Sequence, residues 1–188
     1  DYWIYGQGFN GARGTGLLQD QRGARLLYTP LKDMYGDMEV NLYVDPTKLA
    51  GQGFGSATGQ YMDIYIKFDT QTLTGYALRI IRTTKYSNAV DFFLVEYKDG
   101  KTTPLTSPVS SICYRTGCSI NLKVEGDVLT AHVETETPLA PIRSAELVSK
   151  VDLDARITPN SFGGVGVQHT GSCGESTTML KHLKVEWK

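Results

Sequence analysis

The chain has 188 residues, 40% of them hydrophobic and 21% charged, with a formal net charge of −1. This length can bury the core of one domain, and a near-neutral balance with scattered Lys and Arg gives no broad drive toward nucleic acid or an anionic membrane. No apolar stretch approaches the ~20 residues a membrane-spanning helix needs, and neither a signal-peptide pattern nor an initiator Met is present, as expected of a mature protein or an excised domain.

Residues 1–9 are rich in aromatics: Tyr2, Trp3, Tyr5 and Phe9. Residues 15–20 and 23–29 predict two strands around the turn Asp20-Gln21-Arg22-Gly23. Over 36–44, Met38, Val40, Leu42 and Val44 alternate with Asp37, Glu39, Asn41 and Tyr43 until Asp45-Pro46 ends the strand. A short helical turn fits 47–50, and a glycine-rich loop follows over 51–59.

Three successive strands are predicted between Gly59 and Val95. In the first, Met62, Ile64, Ile66 and Phe68 alternate with Tyr61, Asp63, Tyr65 and Lys67. Successive strand side chains point to opposite faces, so the first set is expected in the core. The second set forms a polar, aromatic face able to meet water or a ligand. Lys98-Asp99-Gly100-Lys101 is a hairpin turn of the Asp-Gly kind.

Residues 119–124 and 128–134 predict a hairpin across Glu125-Gly126-Asp127. Strands are further expected over 147–157, 163–169 and 177–188, with Leu183, Val185 and Trp187 alternating inward. No long segment holds a 3.6-residue apolar period. Many short strands between turn signals predict an all-β antiparallel sandwich or barrel. With no linker or composition shift, residues 1–188 are read as a single domain.

Three cysteines are present. Cys113 and Cys118 flank a turn-forming spacer; they either close a small disulfide loop in an oxidising compartment or remain ordinary thiols. Cys173 is left over, and its pairing is open.

The order of a Gly75-Tyr76-Ala77-Leu78-Arg79-Ile80 strand, an Ile120–Val133 hairpin, Gly163-Gly164-Val165-Gly166-Val167 and a terminal Leu183-Lys184-Val185-Glu186 strand resembles the concanavalin A-like jelly roll. It is similar in particular to laminin-G-like and 3-keto-disaccharide-hydrolase-like domains of secreted bacterial carbohydrate-utilisation proteins. The resemblance covers residues 36–188. It implies two curved antiparallel sheets, a ligand on the concave sheet, and a secreted, periplasmic or cell-surface location beside glycosidases or lyases.

Sugar recognition needs flat aromatic faces and planar side chains that form paired hydrogen bonds. Tyr61, Asp63, Tyr65, Arg79 and Arg82 supply both kinds, and His169 ends the glycine-rich strand. These six are the candidate carbohydrate-binding residues. Neighbouring domains of a larger chain are the other expected partners, and neither nucleic acid nor membrane insertion is expected.

A glycoside hydrolase needs two carboxyl groups across the scissile bond. Glu134/Glu136 and Asp152/Asp154 have one-face spacing but read more simply as solvent-exposed strand positions. No catalytic residue is assigned. A hydrolase or lyase acting from the same face is the alternative, and a structural domain packing on a neighbour is the second. No cofactor is expected. Calcium is common in the resembling fold, but no Asp-x-Asp-x-Asp-Gly loop is present, so any calcium would be structural and held partly by backbone oxygens.

Overall fold

Period-two alternation organises the structure. The computed structural model describes residues 2–5, 9–12, 15–19, 25–28, 37–45, 61–69, 72–82, 90–111, 117–135, 144–151, 162–168 and 177–188. They form β1 (Tyr2–Tyr5), β2 (Phe9–Ala12), β3 (Thr15–Gln19), β4 (Arg25–Tyr28) and β5 (Met38–Asp45). There follow β6 (Tyr61–Asp69), β7 (Thr74–Arg82), β8 (Val90–Lys98), β9 (Lys101–Pro104) and β10 (Val109–Ser111). The chain continues through β11 (Cys118–Glu125), β12 (Val128–Thr135), β13 (Ser144–Lys150), β14 (Phe162–Gln168) and β15 (Thr177–Trp187).

The strands make two sheets. The first runs β1-β4-β14-β6-β7-β8-β10, with β9 also pairing β8. The second runs β13-β12-β11-β5-β15-β3-β2. Every pairing is antiparallel, and the described residues contain no helix. Asp99 (φ 50°) and Gly100 (φ 77°) turn β8 into β9; two positive φ values are what an Asp-Gly hairpin of type I′ requires.

The core lies between the sheets. Met38, Val40, Leu42 and Val44 of β5 join Ile120, Leu122 and Val124 of β11 and Leu129, Ala131 and Val133 of β12. They pack with Met62, Ile64 and Ile66 of β6, Tyr76, Leu78 and Ile80 of β7, and Val90, Phe92 and Leu94 of β8. Burying each large aliphatic side chain stabilises by about 1.5–3 kcal/mol, so this seam is the dominant favourable contribution. Leu183 is buried in the same core, with Val185 and Trp187 partly buried against it.

Two expectations are corrected. β3 and β4, expected on either side of a turn over 20–23, do not pair. β3 lies between β15 and β2 in one sheet, and β4 lies between β1 and β14 in the other. Alternation marks strands but does not specify partners; long-range register does.

The second correction concerns Phe68, expected beside Met62, Ile64 and Ile66. Ile66 pairs Tyr76 and Asp69 pairs Thr74, so Lys67 and Phe68 lie opposite Gly75 alone. This is a β-bulge, and the extra residue shifts the alternation. Lys67, itself buried, takes φ 51°, and Phe68 joins a second buried cluster with Tyr65, Ala77, Val95 and Tyr97. The Lys67 amide donates to Met38 Sδ at 3.3 Å. Gly75, at φ 152°, is required opposite the bulge. An added Cβ there would stand 2.4 Å from Lys67 O and 2.7 Å from Phe68 Cα.

The expected helical turn at 47–50 and loop at 51–59, together with Cys113, Cys173 and the Glu136, Asp152 and Asp154 positions, lie outside the described residues. Cys118 is buried on β11.

Candidate functional site

The face of the first sheet away from the core carries most of the predicted polar and aromatic residues. Cross-strand register builds it in rows. Gly166 of β14, Asp63 of β6, Arg79 of β7 and Phe93 of β8 are successive partners. One row over stand Gly164, Tyr65, Ala77 and Val95. On the other side stand Gln168, Tyr61, Ile81 and Asp91. The β14 partners of Asp63 and Tyr65 are glycines, so β14 adds no side chain beside them. Val165 and Val167 instead pair the core-facing Ile64 and Met62.

Arg79 is the centre of this face. Its Nε donates to Asp63 Oδ1 at 2.9 Å and its Nη2 to Asp63 Oδ2 at 2.9 Å, a two-pronged arrangement that fixes the guanidinium plane. Nη2 also donates to the Tyr97 hydroxyl at 3.0 Å, and Nη1 to Thr102 Oγ1 at 3.4 Å. The Tyr97 hydroxyl donates to Asp63 Oδ2. The Tyr61 ring lies against the guanidinium, whose carbon is 3.8 Å from the ring centroid, a close cation–π stack.

Burial sorts these residues into tiers. Asp63 is 0% exposed, Tyr65 2%, Tyr97 4% and Arg79 8%, whereas Tyr61 is partly exposed and Thr102 exposed. Tyr65, Phe68 and Tyr97 form an aromatic bed, with centroids 4.6 Å apart for Tyr65–Phe68 and 5.4 Å for Phe68–Tyr97. The bulge at Lys67 supplies Phe68 to that bed.

A buried charge is tolerated only when paired, and the titration behaviour follows. Burial pulls the Arg79 guanidinium toward its neutral form, but the hydrogen bonds and charge of Asp63 outweigh this and hold it above its ordinary range. Burial, reinforced by the Asp63 charge, pushes the Tyr97 phenol well above its usual value. Arg79 is therefore a fixed cation neutralised in place, and Tyr97 a fixed hydrogen-bond donor.

The structure thus brings Tyr61, Asp63, Tyr65 and Arg79 together on one face. Arg82 ends β7 opposite Val90, with its side chain outside the described residues, as is His169 altogether. Asp63 and Tyr65 are buried behind the surface. Tyr97, Phe68 and Thr102 were not anticipated. The signal for Tyr97 was its period-two spacing from Phe93 and Val95; for Phe68 it was indirect, a glycine at position 75 inside the partner strand, opposite the bulge. Among the described residues, no group of three or more His, Cys, Asp or Glu side chains could hold a metal ion, and no helix is long and apolar enough to cross a membrane.

No protein-family model matches the chain, and no curated protein matches it in sequence. Solved structures do. A xylan β-1,4-xylosidase from Bacillus halodurans C-125 superposes with a TM-score of 0.64 at 9% identity, over 92% of this chain. The chain spans only 32% of that enzyme's length. The carbohydrate-binding module CBM66 from Bacillus subtilis gives a TM-score of 0.56 at 10% identity, over 98% of this chain and 94% of the module. An alginate lyase from Klebsiella pneumoniae gives 0.61 at 8% identity, over 99% of this chain and 86% of the lyase. At these identities the likeness establishes the fold alone: a two-sheet antiparallel sandwich of the concanavalin A-like jelly-roll type.

Proposed function

We propose that this chain is a carbohydrate-binding domain of a secreted or surface polysaccharide-utilisation protein, taking a neutral glycan on the outer face of its first sheet. The observation that carries this is the Tyr61–Arg79 stack at 3.8 Å, pinned from below by Asp63. It offers an aromatic ring beside an oriented planar donor, the pair of features a pyranose needs for C–H stacking and hydroxyl hydrogen bonding.

Charge selects the class of glycan. Asp63 already neutralises the Arg79 cation through both carboxylate oxygens, so little of its charge remains for an acidic sugar. Tyr61 and Arg79 are the ligand-facing residues in this proposal; Asp63, Tyr65 and Tyr97 position them, and Arg82 and His169 flank the site. Hydrolysis needs two carboxyl groups free to act across a bond. On this face, among the described residues, Asp63 is engaged by Arg79 and Tyr97, and Asp91 accepts from Ser110, which favours binding over bond cleavage.

A glycan array carrying neutral xylans, β-glucans and mannans beside alginate and polygalacturonate tests the proposal. Signal on at least one neutral class, with weaker signal on the uronates, is expected. Background signal throughout, or preference for the uronates, would overturn it.

A further inference from the structure

The outer face of the second sheet carries a depression of about 330 Å³ whose lining includes Tyr43, Ser119, Asn121, His132, Glu134 and His182. That volume falls at the small end of ligand sites. Register again makes the rows: Asn41, Asn121, His132 and Glu146 are successive cross-strand partners, and Tyr43, Ser119, Glu134 and Ser144 form the next row.

Asn121 is oriented from below. Its Nδ2 donates to Glu39 Oε1 at 2.6 Å and to Asn41 Oδ1 at 2.7 Å. A carboxylate can only accept, so the amide cannot flip without losing this bond. Asn121 Oδ1 is thereby left as a fixed acceptor. Glu39 is itself held by Lys188 at 2.8 Å. His132 Nε2, in the same row as Asn121, and Glu134 Oε2, in the next, stand 3.9 Å apart on one strand face, both well exposed.

A second bulge brings His182 to this rim. Lys181 pairs Tyr43 and Lys184 pairs Asn41, so His182 and Leu183 share the space opposite Leu42. Leu183 stays in the core, and His182, at φ 56°, is exposed. Bulges re-aim side chains in this way, often beside functional sites. Tyr43 is placed too, with its hydroxyl over Gly117, where an added Cβ would stand 1.7 Å away.

We infer that this depression is a second, independent site for a neutral saccharide of one or two rings. Asn121 and Glu134 accept hydroxyl protons, the His132 and His182 imidazoles exchange hydrogen bonds, and the Tyr43 ring gives an apolar contact. Donors, acceptors and an aromatic ring in a small space match a hydroxyl-rich neutral ligand. The choice of saccharide rests on the carbohydrate-binding proposal above; the geometry of the second site does not depend on the first.

The test is titration calorimetry of the whole chain with neutral β-1,4-linked xylo-, cello- and mannohexaose, with amide-shift mapping by NMR. The wild type is expected to bind at two places, with shifts at both Tyr61/Arg79 and Asn121/His132. His132→Ala with His182→Ala, both at exposed positions, should weaken the second site by about tenfold or more and leave the first unchanged, with thermal unfolding as the folding control. Asn121→Leu should do the same. Tyr61→Ala should do the converse. Shifts confined to the first sheet, or binding indifferent to the His and Asn substitutions, would overturn this inference while sparing the proposed function. Shifts confined to the second sheet would support it and overturn the proposed location of the first site. Silence at both faces with all three hexasaccharides would overturn both.

Discussion

The Asp63–Arg79–Tyr97 network makes a quantitative prediction about stability. Asp63→Asn leaves the shape of the side chain but removes the charge that faces Arg79 through two bonds of 2.9 Å each. With Asp63 fully buried and Arg79 at 8% exposure, solvent screening is weak. Removing one partner of such a pair costs about 3–5 kcal/mol, because the other charge stays buried without compensation. Arg79→Met should cost a similar amount. The two must not add. The triple variant Asp63→Leu, Arg79→Met, Tyr97→Phe removes both charges and the phenol that depends on them, and should recover to within about 1–2 kcal/mol of the wild type. Urea denaturation with unchanged slope measures each value. If Asp63→Asn costs less than about 1 kcal/mol, or the single costs simply sum in the triple variant, the network is not the coupled unit described.

Other outcomes follow from the same geometry. Gly75→Ala places its Cβ against immovable backbone atoms of the bulge, 2.4 Å from Lys67 O, at a φ that L side chains rarely adopt. It should destabilise by about 3–5 kcal/mol, read from the shift in denaturation midpoint. Phe68→Ala should cost about 3–5 kcal/mol and disturb near-UV circular dichroism, since Tyr65 and Tyr97 pack on that ring. Glu39 is held at a pKa of about 2 against 4.5, first by the Lys188 hydrogen bond and, despite opposing desolvation, by Asn41 and Asn121. A depressed folded pKa gives stability that is complete above the unfolded value and lost as pH falls from about 4.5 through about 2. Urea midpoints should therefore fall between pH 5 and pH 2 by less in Glu39→Gln than in the wild type, and salt should narrow the difference. Equal falls would remove Glu39 from the acid response.

Much of the fold was legible because period two was clean where burial is one-sided. Met38 through Val44 and Ile120 through Val124 alternate in sequence and in the structure alike. The site was legible in part for the same reason: Tyr61, Asp63 and Tyr65 share a strand face, and Arg79 meets Asp63 by direct register. The failures have one cause. β3 and β4 separate into two sheets, and Phe68 changes face at a bulge; both are properties of pairing, which a single strand does not encode. Gly75 is the residue that could have signalled the bulge, since glycine inside a strand marks close backbone approach. The burial of Asp63 was hidden similarly. Alternation assigns a face, while whether that face meets solvent depends on what else the fold brings to it.

The proposed glycan site is Tyr61 stacked on the fixed Arg79 guanidinium. The most direct measurement is the affinity of wild type and Tyr61→Ala for the strongest neutral glycan on the array, followed by amide shifts on β6 and β7, with thermal unfolding as the folding control. A loss of roughly tenfold or more, about 1.4 kcal/mol, is expected, with shifts centred on Tyr61 and Arg79 and an unfolding temperature close to that of the wild type. Unchanged affinity in Tyr61→Ala, with the glycan's shifts lying elsewhere, would contradict it.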